Sequence, residues 1–501
     1  TSSVKRLSCG EIAREIAGDM GRSHLVSEEV EQVRRLVGVV VLADDLGWTS
    51  LSTSLDPSNP SARSDFYTTP NIDNMADRGM RFSNAYAAAP VCSPTRYSLQ
   101  FGKTPARLLR TRSDKPNRVD HDQKSIAQVL KSINPSYRAA HFGKWHIDVD
   151  PGELGNDVHD GMTRNQTGGF VNDGTQWEGY EDEDPKRVNS VTRRAIAFLE
   201  ESRREGRPFF LQLSHYAVHS NIEYSEESFA HFAGREKGEL HSNRGYAAMV
   251  RDLDVSLGAL MQAYEELGLA EDTYLIFASD NGGMPVIPMQ VNRGRPYPNG
   301  LNSPLLRGKW DLTEGGIRVP FLVIGPGVDP GSHTDVPVVT YDLLPTMADL
   351  AGSGAGVPDE IDGGSFRRTL SDPDAVVSRP SDSLIFHYPH YNRVGMNEPH
   401  SAIRAGDYKL IHFPVSHRSL LFDLVRDPGE RDDLSAQKPE LTARLQSELA
   451  EYLRSVGAER PEDGSKWVSV GKEGQVRTKF FQRYPTGSTP SKNDSARPGG
   501  Q

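Results

Sequence analysis

The chain has 501 residues, of which 36% are apolar; at about 150 residues per domain that is material for two to four units or one large α/β domain. Lys and Arg total 57 against 68 Asp and Glu, a net charge of −11, which argues against general nucleic-acid binding but not against an anionic substrate held by local cations. Two cysteines, Cys9 and Cys92, exclude a disulfide framework, and the longest apolar run, residues 36–43, is far shorter than the ~18 residues of a membrane-spanning helix.

Residues 1–36 form a charged N-terminal extension with no apolar core of a secretory signal, and within it Glu28–Arg35 predicts a surface helix. The chain starts at Thr1 rather than Met, as a processed or truncated form does. Val37–Ala43 (VGVVVLA) has the Val-rich continuity of a strand buried on both faces. Gln123–Ile133 predicts a helix stopped before Pro135, and Arg138–Phe142 a short strand. Val191–Arg204 predicts a helix and Pro208–Ser214 a buried strand. Tyr246, Val250, Leu253, Leu257, Leu260, Tyr264 and Leu267 recur at steps of four and three, the core stripe of a helix. Thr273–Ser279 and Val319–Gly325 predict strands, and Tyr341–Ala351 a helix. Strands spaced by helices imply an α/β fold with a largely parallel sheet.

The texture changes near residue 353. Gly, Pro, Ser and Asp dominate 352–383, and short strand-like runs follow at Ser383–His387, Ala402–Arg404, Tyr408–Phe413 and Leu420–Leu424, then a helix at about 438–455. The expected organisation is an extension over 1–36, a large α/β domain over 37–352, a smaller α+β subdomain with an antiparallel sheet over 353–465, and a polar flexible tail over 466–501.

Two strands run directly into oxygen ligands: Val37–Ala43 into Asp44-Asp45, and Thr273–Ser279 into Asp280-Asn281. Ligands of open α/β sheets bind beyond the carboxyl ends of strands. Adjacent carboxylates repel unless a cation sits between them, and an all-oxygen set suits Ca²⁺ or Mg²⁺ rather than Zn²⁺. Either pair alone reads as turn chemistry; both at strand ends favour a metal. A third feature is Cys92-Ser93-Pro94-Thr95-Arg96. Pro94 suits the first turn of a helix, which places Cys92 at a helix N-terminus with Arg96 one turn on along the same face. A thiolate nucleophile, alone or beside a metal and a His base, is the plain chemical reading.

Cys-x-Pro-x-Arg, with Asp-Asp-x-Gly upstream and Asp-Asn-Gly downstream, resembles the type I sulfatases, the formylglycine-dependent members of the alkaline-phosphatase superfamily. The resemblance covers about residues 37–455, with further matching segments in order. These are Thr69–Asp73, Gly79–Phe82, Gly143-Lys144-Trp145-His146, Tyr216-Ala217-Val218-His219, Lys309 followed by Thr313–Pro320, and then Asp407–Leu410 and Leu421–Leu424 with Asp427-Pro428. It implies a large mixed, mostly parallel sheet sandwiched by helices, with the smaller C-terminal α+β subdomain on an antiparallel sheet.

The resemblance also implies roles. Cys92 is converted by a formylglycine-generating enzyme to Cα-formylglycine, whose hydrated gem-diol attacks sulfur with one hydroxyl and ejects sulfate with the other. Asp44, Asp45, Asp280 and Asn281, with the residue at 92, hold the divalent cation, Ca²⁺ with Mg²⁺ as alternative. Asp280 can double as base, Arg96 stabilises the diol, Lys144 and Lys309 clamp sulfate oxygens, His219 protonates the leaving alkoxide, and His146 accepts the second proton.

The substrate expected is a sulfated small molecule or saccharide, with His387, His390 and Arg293 as candidate contacts and Tyr391 and Arg295 beside them. Lys103 and Arg107 read equally as positive field near Cys92 or as a solvated helix face, His215 as structural, and His141 and Trp145 as packing. By family habit the protein is periplasmic or extracellular. The alternatives are a phosphoester or phosphonate monoester hydrolase of the same superfamily, and an inactive sulfated-glycan binding protein with Cys92 unmodified.

Overall fold

The structure, a computed structural model, describes residues 37–112, 123–171, 179–284, 302–354, 356–391 and 398–461. The extension 1–36 with Cys9 and the Glu28–Arg35 helix, the segment carrying Arg293 and Arg295, and the tail 466–501 lie outside the described residues.

The catalytic body is built on an eight-stranded sheet. In chain order its strands are β1 (Val37–Ala43), β2 (Met80–Phe82), β3 (Arg138–Gly143), β4 (Val158–His159), β5 (Phe209–Ser214), β6 (Thr273–Ser279), β7 (Phe321–Ile324) and β8 (Ser332–Thr334). Across the sheet they lie β8-β2-β7-β6-β1-β5-β3-β4. All neighbours are parallel except β7, which runs antiparallel to both β6 and β2. The described end of the connection explains it: Lys309 N bonds the Gly283 carbonyl just beyond β6, and the chain enters β7 from that same end.

The sheet is covered on both faces, which is why β1 reads as unbroken apolar sequence. Val39 and Val41 point into one layer with α1 (Pro70–Arg78), α4 (Val188–Glu205) and α5 (Arg244–Glu266). Val40 and Leu42 point into the other with α3 (Ile126–Ile133), α6 (Leu343–Leu350) and Leu99 of α2 (Cys92–Phe101). On α5, Tyr246, Val250, Leu253, Leu257, Leu260 and Tyr264 are all buried, so the stripe is core. The expected helix from Gln123 begins instead at Ile126. Ser125 caps it, its Oγ accepting from the Gln128 backbone N at 3.2 Å while Gln128 Oε1 accepts from the Ser125 backbone N at 3.0 Å. The strand expected from Val319 begins at Phe321, because the Val319 N–H is spent on the Ala85 carbonyl and Pro320 has none.

Beyond residue 383 the chain forms four antiparallel strands in sequence order: β9 (Leu384–Tyr388), β10 (His400–Ala405), β11 (Tyr408–Phe413) and β12 (Arg418–Asp423). Alternate residues Ile385, Ile403, Leu410 and Leu421 pack under Leu445 and Leu449 of α7 (Pro439–Ser455). The opposite set, Phe386, Ala402, Ile411 and Phe422, packs on Tyr86, Ala88, Val91, Leu312 and Ile317 of the body. The small sheet therefore backs both the segment leading into Cys92 and the loop carrying Lys309.

A buried ion cluster fastens this joint. Lys409 Nζ on β11 lies 2.8 Å from Glu314 Oε1 and 2.9 Å from Glu430 Oε1, and all three side chains are fully buried. The Glu430 carboxylate also accepts from the Glu314 backbone N at 2.7 Å, Glu314 accepts from the Tyr86 hydroxyl at 2.8 Å, and His400 Nε2 accepts from the Leu312 backbone N at 3.0 Å. Burial, reinforced by Glu314, pushes the Glu430 carboxyl up to about 7 against the pull of Lys409. Replacing Lys409 with Met strands the buried Glu430 carboxyl, while Glu314 keeps Arg318 at 3.6 Å, and is expected to cost about 3–5 kcal/mol in urea unfolding. With the ammonium gone, Glu430 holds its proton more tightly folded than unfolded, so stability falls as pH rises and the loss should be larger near about pH 8 than near about pH 5.

Candidate active site

β1 and β6 are parallel neighbours in register, Ala43 opposite Ser279, so the chain leaves both strands at one level. Asp44-Asp45 and Asp280-Asn281, 236 residues apart in sequence, therefore meet. The Asp45 backbone N donates to Asp280 Oδ1 at 3.2 Å, and Asn281 Nδ2 donates to Asp45 Oδ1 at 2.7 Å. Asp45 takes a left-handed conformation (φ 61°), which Asp tolerates better than most residues and which turns the chain sharply off the strand.

Cys92 opens α2, with extended Val91 as the cap residue and Pro94 in the first turn. The thiol is buried, and single ligand atoms of Asp44, Cys92 and Asp280 all lie within 4.8 Å of one another. One turn on, Arg96 donates Nε at 2.9 Å and Nη2 at 2.7 Å to Asp280 Oδ2, and Nη1 to the Lys144 carbonyl. Ser93 Oγ donates to the His146 carbonyl at 2.9 Å, so α2 is tied to both residues that follow β3.

Lys144 leaves β3 through Gly143, whose φ is 88° and where a Cβ would lie 2.0 Å from the Ser214 carbonyl oxygen; only glycine lets β3 and β5 close there. The Lys144 ammonium then reaches Asp44 Oδ2. Lys309 Nζ sits 2.7 Å from both oxygens of Asp45. Its loop lies directly on the Asn281 turn: Lys309 N donates to the Gly283 carbonyl and Gly282 N to the Gly316 carbonyl, both at 2.9 Å. A Cβ on Gly282 would fall 1.9 Å from the Gly315 oxygen. His219 Nδ1 is taken up by the Ser220 carbonyl, and its Nε2 faces Asp45 Oδ2 at 3.8 Å. The buried Nδ1 of His146 has no hydrogen-bond partner among the described residues.

The electrostatics follow from crowding in a dry site. Burial, with Asp280 and Asp45 adding to it, raises the Asp44 carboxyl to about 7 against Lys144 and Arg96. Burial works the same way on Asp45, but Lys309, His219 and Lys144 overcome it and hold that carboxyl below its ordinary range. Burial pushes the Cys92 thiol up despite Lys144 and Lys309, the opposite of what an activated thiolate needs. Burial first, then Lys309 at His219 and Lys144 at His146, keeps both imidazoles neutral.

The residues fit a hard divalent cation. Asp44 Oδ1 and Asn281 Oδ1 are buried acceptor oxygens with no hydrogen-bond partner among the described residues, although the other polar atom of each side chain is bonded. Oxygen acceptors left over amid three carboxylates are the donor set that Ca²⁺ or Mg²⁺ takes.

Other expected residues lie elsewhere. His387 spends Nδ1 on Ser401 Oγ at 2.7 Å and Nε2 on the Glu459 carbonyl at 2.8 Å, so neither nitrogen has a bond to spare for a ligand. His390 is buried with Nε2 2.8 Å from Thr111 Oγ1. Arg293 falls outside the described residues. Arg107 pairs bidentately with Asp362 at 2.9 and 2.8 Å, which makes it neither a solvated residue nor a free cation. His141 packs edge-on to Trp145 and bonds Ser214 Oγ at 3.1 Å, and His215 is buried near Ser256. Sequence reasoning passed over the buried pair Lys186–Glu223 (2.9 Å) and the ring of Phe170 beside His219. Lone Lys and Glu residues in polar stretches read as solvated, and no motif marks Phe170.

Comparison with known proteins places the chain in a family. The family model described as Sulfatase matches residues 37–353, and that described as N-sulphoglucosamine sulphohydrolase, C-terminal, matches 308–458. Arylsulfatase A of Bos taurus is 30% identical, covering 79% of this chain and 82% of its own length. An ulvan-active sulfatase of Formosa agariphila is 27% identical, covering 89% and 84%. The crystal structure of Ps i-CgsB in complex with k-i-k-neocarrahexaose superposes with a TM-score of 0.68 at 24% identity, covering 90% of this chain and 99% of that one.

Calcium or magnesium added to metal-stripped protein is expected to stabilise it by RT ln(1 + [M]/Kd), about 2.7 kcal/mol at a hundredfold excess over Kd, and so to raise the melting temperature. Asp44→Asn should flatten that response in differential scanning fluorimetry; an undiminished shift would place the cation elsewhere.

Proposed function

The chain belongs to the sulfatase family and is a sulfuric ester hydrolase, and from that premise we propose that it removes sulfate from a saccharide at Cys92 after that residue's conversion to Cα-formylglycine. The carrying observation is the convergence at the start of α2: the Cys92 sulfur with Asp44 and Asp280 within 4.8 Å, Arg96 one turn below, and Lys144 and Lys309 on the neighbouring carboxylates. The ulvan-active relative and the neighbour that holds k-i-k-neocarrahexaose support the saccharide class.

The hydrated aldehyde at position 92 would supply one hydroxyl as nucleophile and the other to expel sulfate, which returns the aldehyde for water to rehydrate, and a divalent cation such as Ca²⁺, which Asp44, Asp45, Asp280 and Asn281 would hold, would supply positive charge to the site. The rest is done by this chain's own side chains. Arg96 fixes the Asp280 carboxylate by two hydrogen bonds to one oxygen, while the other accepts from the Asp45 backbone N. Lys144 and Lys309 bring two ammonium groups to the place where sulfate oxygens gain charge in the transition state. His219 presents Nε2 to the site because its Nδ1 is engaged by Ser220. It is neutral in the free site, so the proton it hands to the leaving alkoxide has first to be taken up at Nε2 from solvent, which the substrate's negative charge favours by offsetting Lys309. His146, neutral and with a free Nδ1, is suited to accept the proton released on sulfate departure.

Peptide mass spectrometry after co-expression with a formylglycine-generating enzyme should find an aldehyde in place of the thiol at position 92. Cys92→Ala should abolish sulfate release with the fold intact, and Lys309→Ala should lower kcat by about 10²–10³-fold. Full activity in Cys92→Ala sinks the proposal.

A further inference from the structure

One feature beside the reacting groups has no part in the chemistry above. Residues 163–171 form a strap between the two active-site histidines. At one end the Thr163 carbonyl accepts from the His146 backbone N, and Thr163 Oγ1 accepts from the Trp145 backbone N, both at 2.9 Å. At the other end Val171 N donates to Asn221 Oδ1 at 3.1 Å, and Phe170 N donates back to the Asn165 carbonyl at 3.2 Å. In between, Gly168 sits so closely on Tyr216 that a Cβ would lie 2.3 Å from its ring. The buried Lys186 ammonium, paired with Glu223 at 2.9 Å, also reaches the Gly168 carbonyl at 3.4 Å.

The product of this fastening is the place of one side chain. The Phe170 ring is half-buried, with its centroid 5.1 Å from that of His219 and its plane turned 88° to it. Next to it Val171 is 51% exposed. His219 has only Nε2 to offer, so an alcohol that takes its proton there leaves alongside Phe170. An aromatic ring held in place beside a departing alcohol gains from contact with an apolar ring face, such as the C–H face of a pyranose or an aryl group, and gains little from a small or charged one.

We propose that Phe170 is a specificity-determining residue, the wall of the leaving-group subsite that selects a ring-shaped alcohol. This rests on the assignment of His219 to the leaving group in the reading above. Lys186 and Glu223 are positioning residues for that wall. A contact made equally with substrate and transition state appears in KM and not in kcat.

The test compares wild type, Phe170→Leu and Phe170→Trp, matured identically, on 4-nitrophenyl sulfate and on a sulfated pyranoside, together with inhibition by inorganic sulfate, which has no leaving group. Phe170→Leu should raise KM on both esters by about three- to tenfold with Ki for sulfate moving less than about twofold, and Phe170→Trp should restore KM. An unchanged KM, a parallel rise in KM and Ki, or a fall in kcat at constant KM overturns the inference while leaving the hydrolase reading standing. Wild-type enzyme that carries the aldehyde yet releases sulfate from neither ester overturns both.

Discussion

Three buried carboxylates, Asp44, Asp45 and Asp280, stand at the ends of two neighbouring parallel strands, and their mutual repulsion away from the protein surface has to be answered by cations. The in-register pairing of β1 and β6 makes the crowding unavoidable, since it sets the two Asp-bearing turns at one height. The cations come from three separate parts of the chain: Arg96 from the first turn of α2, Lys144 from the end of β3, and Lys309 from the loop that returns to β7. Each is buried, so each is held by its partner and its backbone rather than by solvent. Gly143 and Gly282 matter for the same reason, because they permit the backbone approaches that bring Lys144 and Lys309 in.

The small C-terminal sheet belongs to this arrangement as well. It lies behind the segment that leads into Cys92 and behind the loop that carries Lys309, and it grips that loop through Lys409, Glu430 and His400. A loop bearing a buried ammonium is pulled toward its carboxylate on one side, and a fixed anchor on the other side limits where the ammonium can go. The Lys409 cluster provides that anchor at Glu314, five residues beyond Lys309. Stability and catalytic geometry therefore share one joint, which is a reason for a chain of this length to carry a second sheet that supplies no reacting group in the chemistry proposed.

Much of this was legible before any coordinates. Asp-Asp and Asp-Asn at the ends of apolar strands, Cys-x-Pro-x-Arg, and the ordered family segments located the Cys92 cluster because each is a local pattern with a local physical cause. The α5 stripe was legible because helical packing repeats along the sequence. What escaped was set by long-range placement. His387 looks like a ligand in Phe-His-Tyr-Pro-His, yet its place on β9 delivers both nitrogens to Ser401 and Glu459. Lys186 and Glu223 look like solvated charges, and only the folded chain buries them together. The reversed direction of β7 is likewise invisible in its apolar sequence, since it follows from where the preceding loop ends.

The division between legible and illegible residues coincides with a division of labour. The groups that handle charge sit on strand ends and the start of a helix, where register and helix geometry fix them and short motifs suffice to encode them. Phe170, the wall proposed for the leaving alcohol, sits on a strap whose position depends on the Lys186–Glu223 ion pair, a glycine seated on a tyrosine and a few backbone hydrogen bonds. A loop of that kind can change its side chains without moving Asp44, Arg96 or Lys309, because among the described residues its hydrogen bonds and ring contacts go to other partners. It meets the reacting groups at two places, the His146 backbone through Thr163 and the His219 ring through Phe170. Chemistry and selectivity are thus separable in this fold, and an acidic protein can present a strongly cationic pocket to sulfate while the apolar wall beside it judges the alcohol.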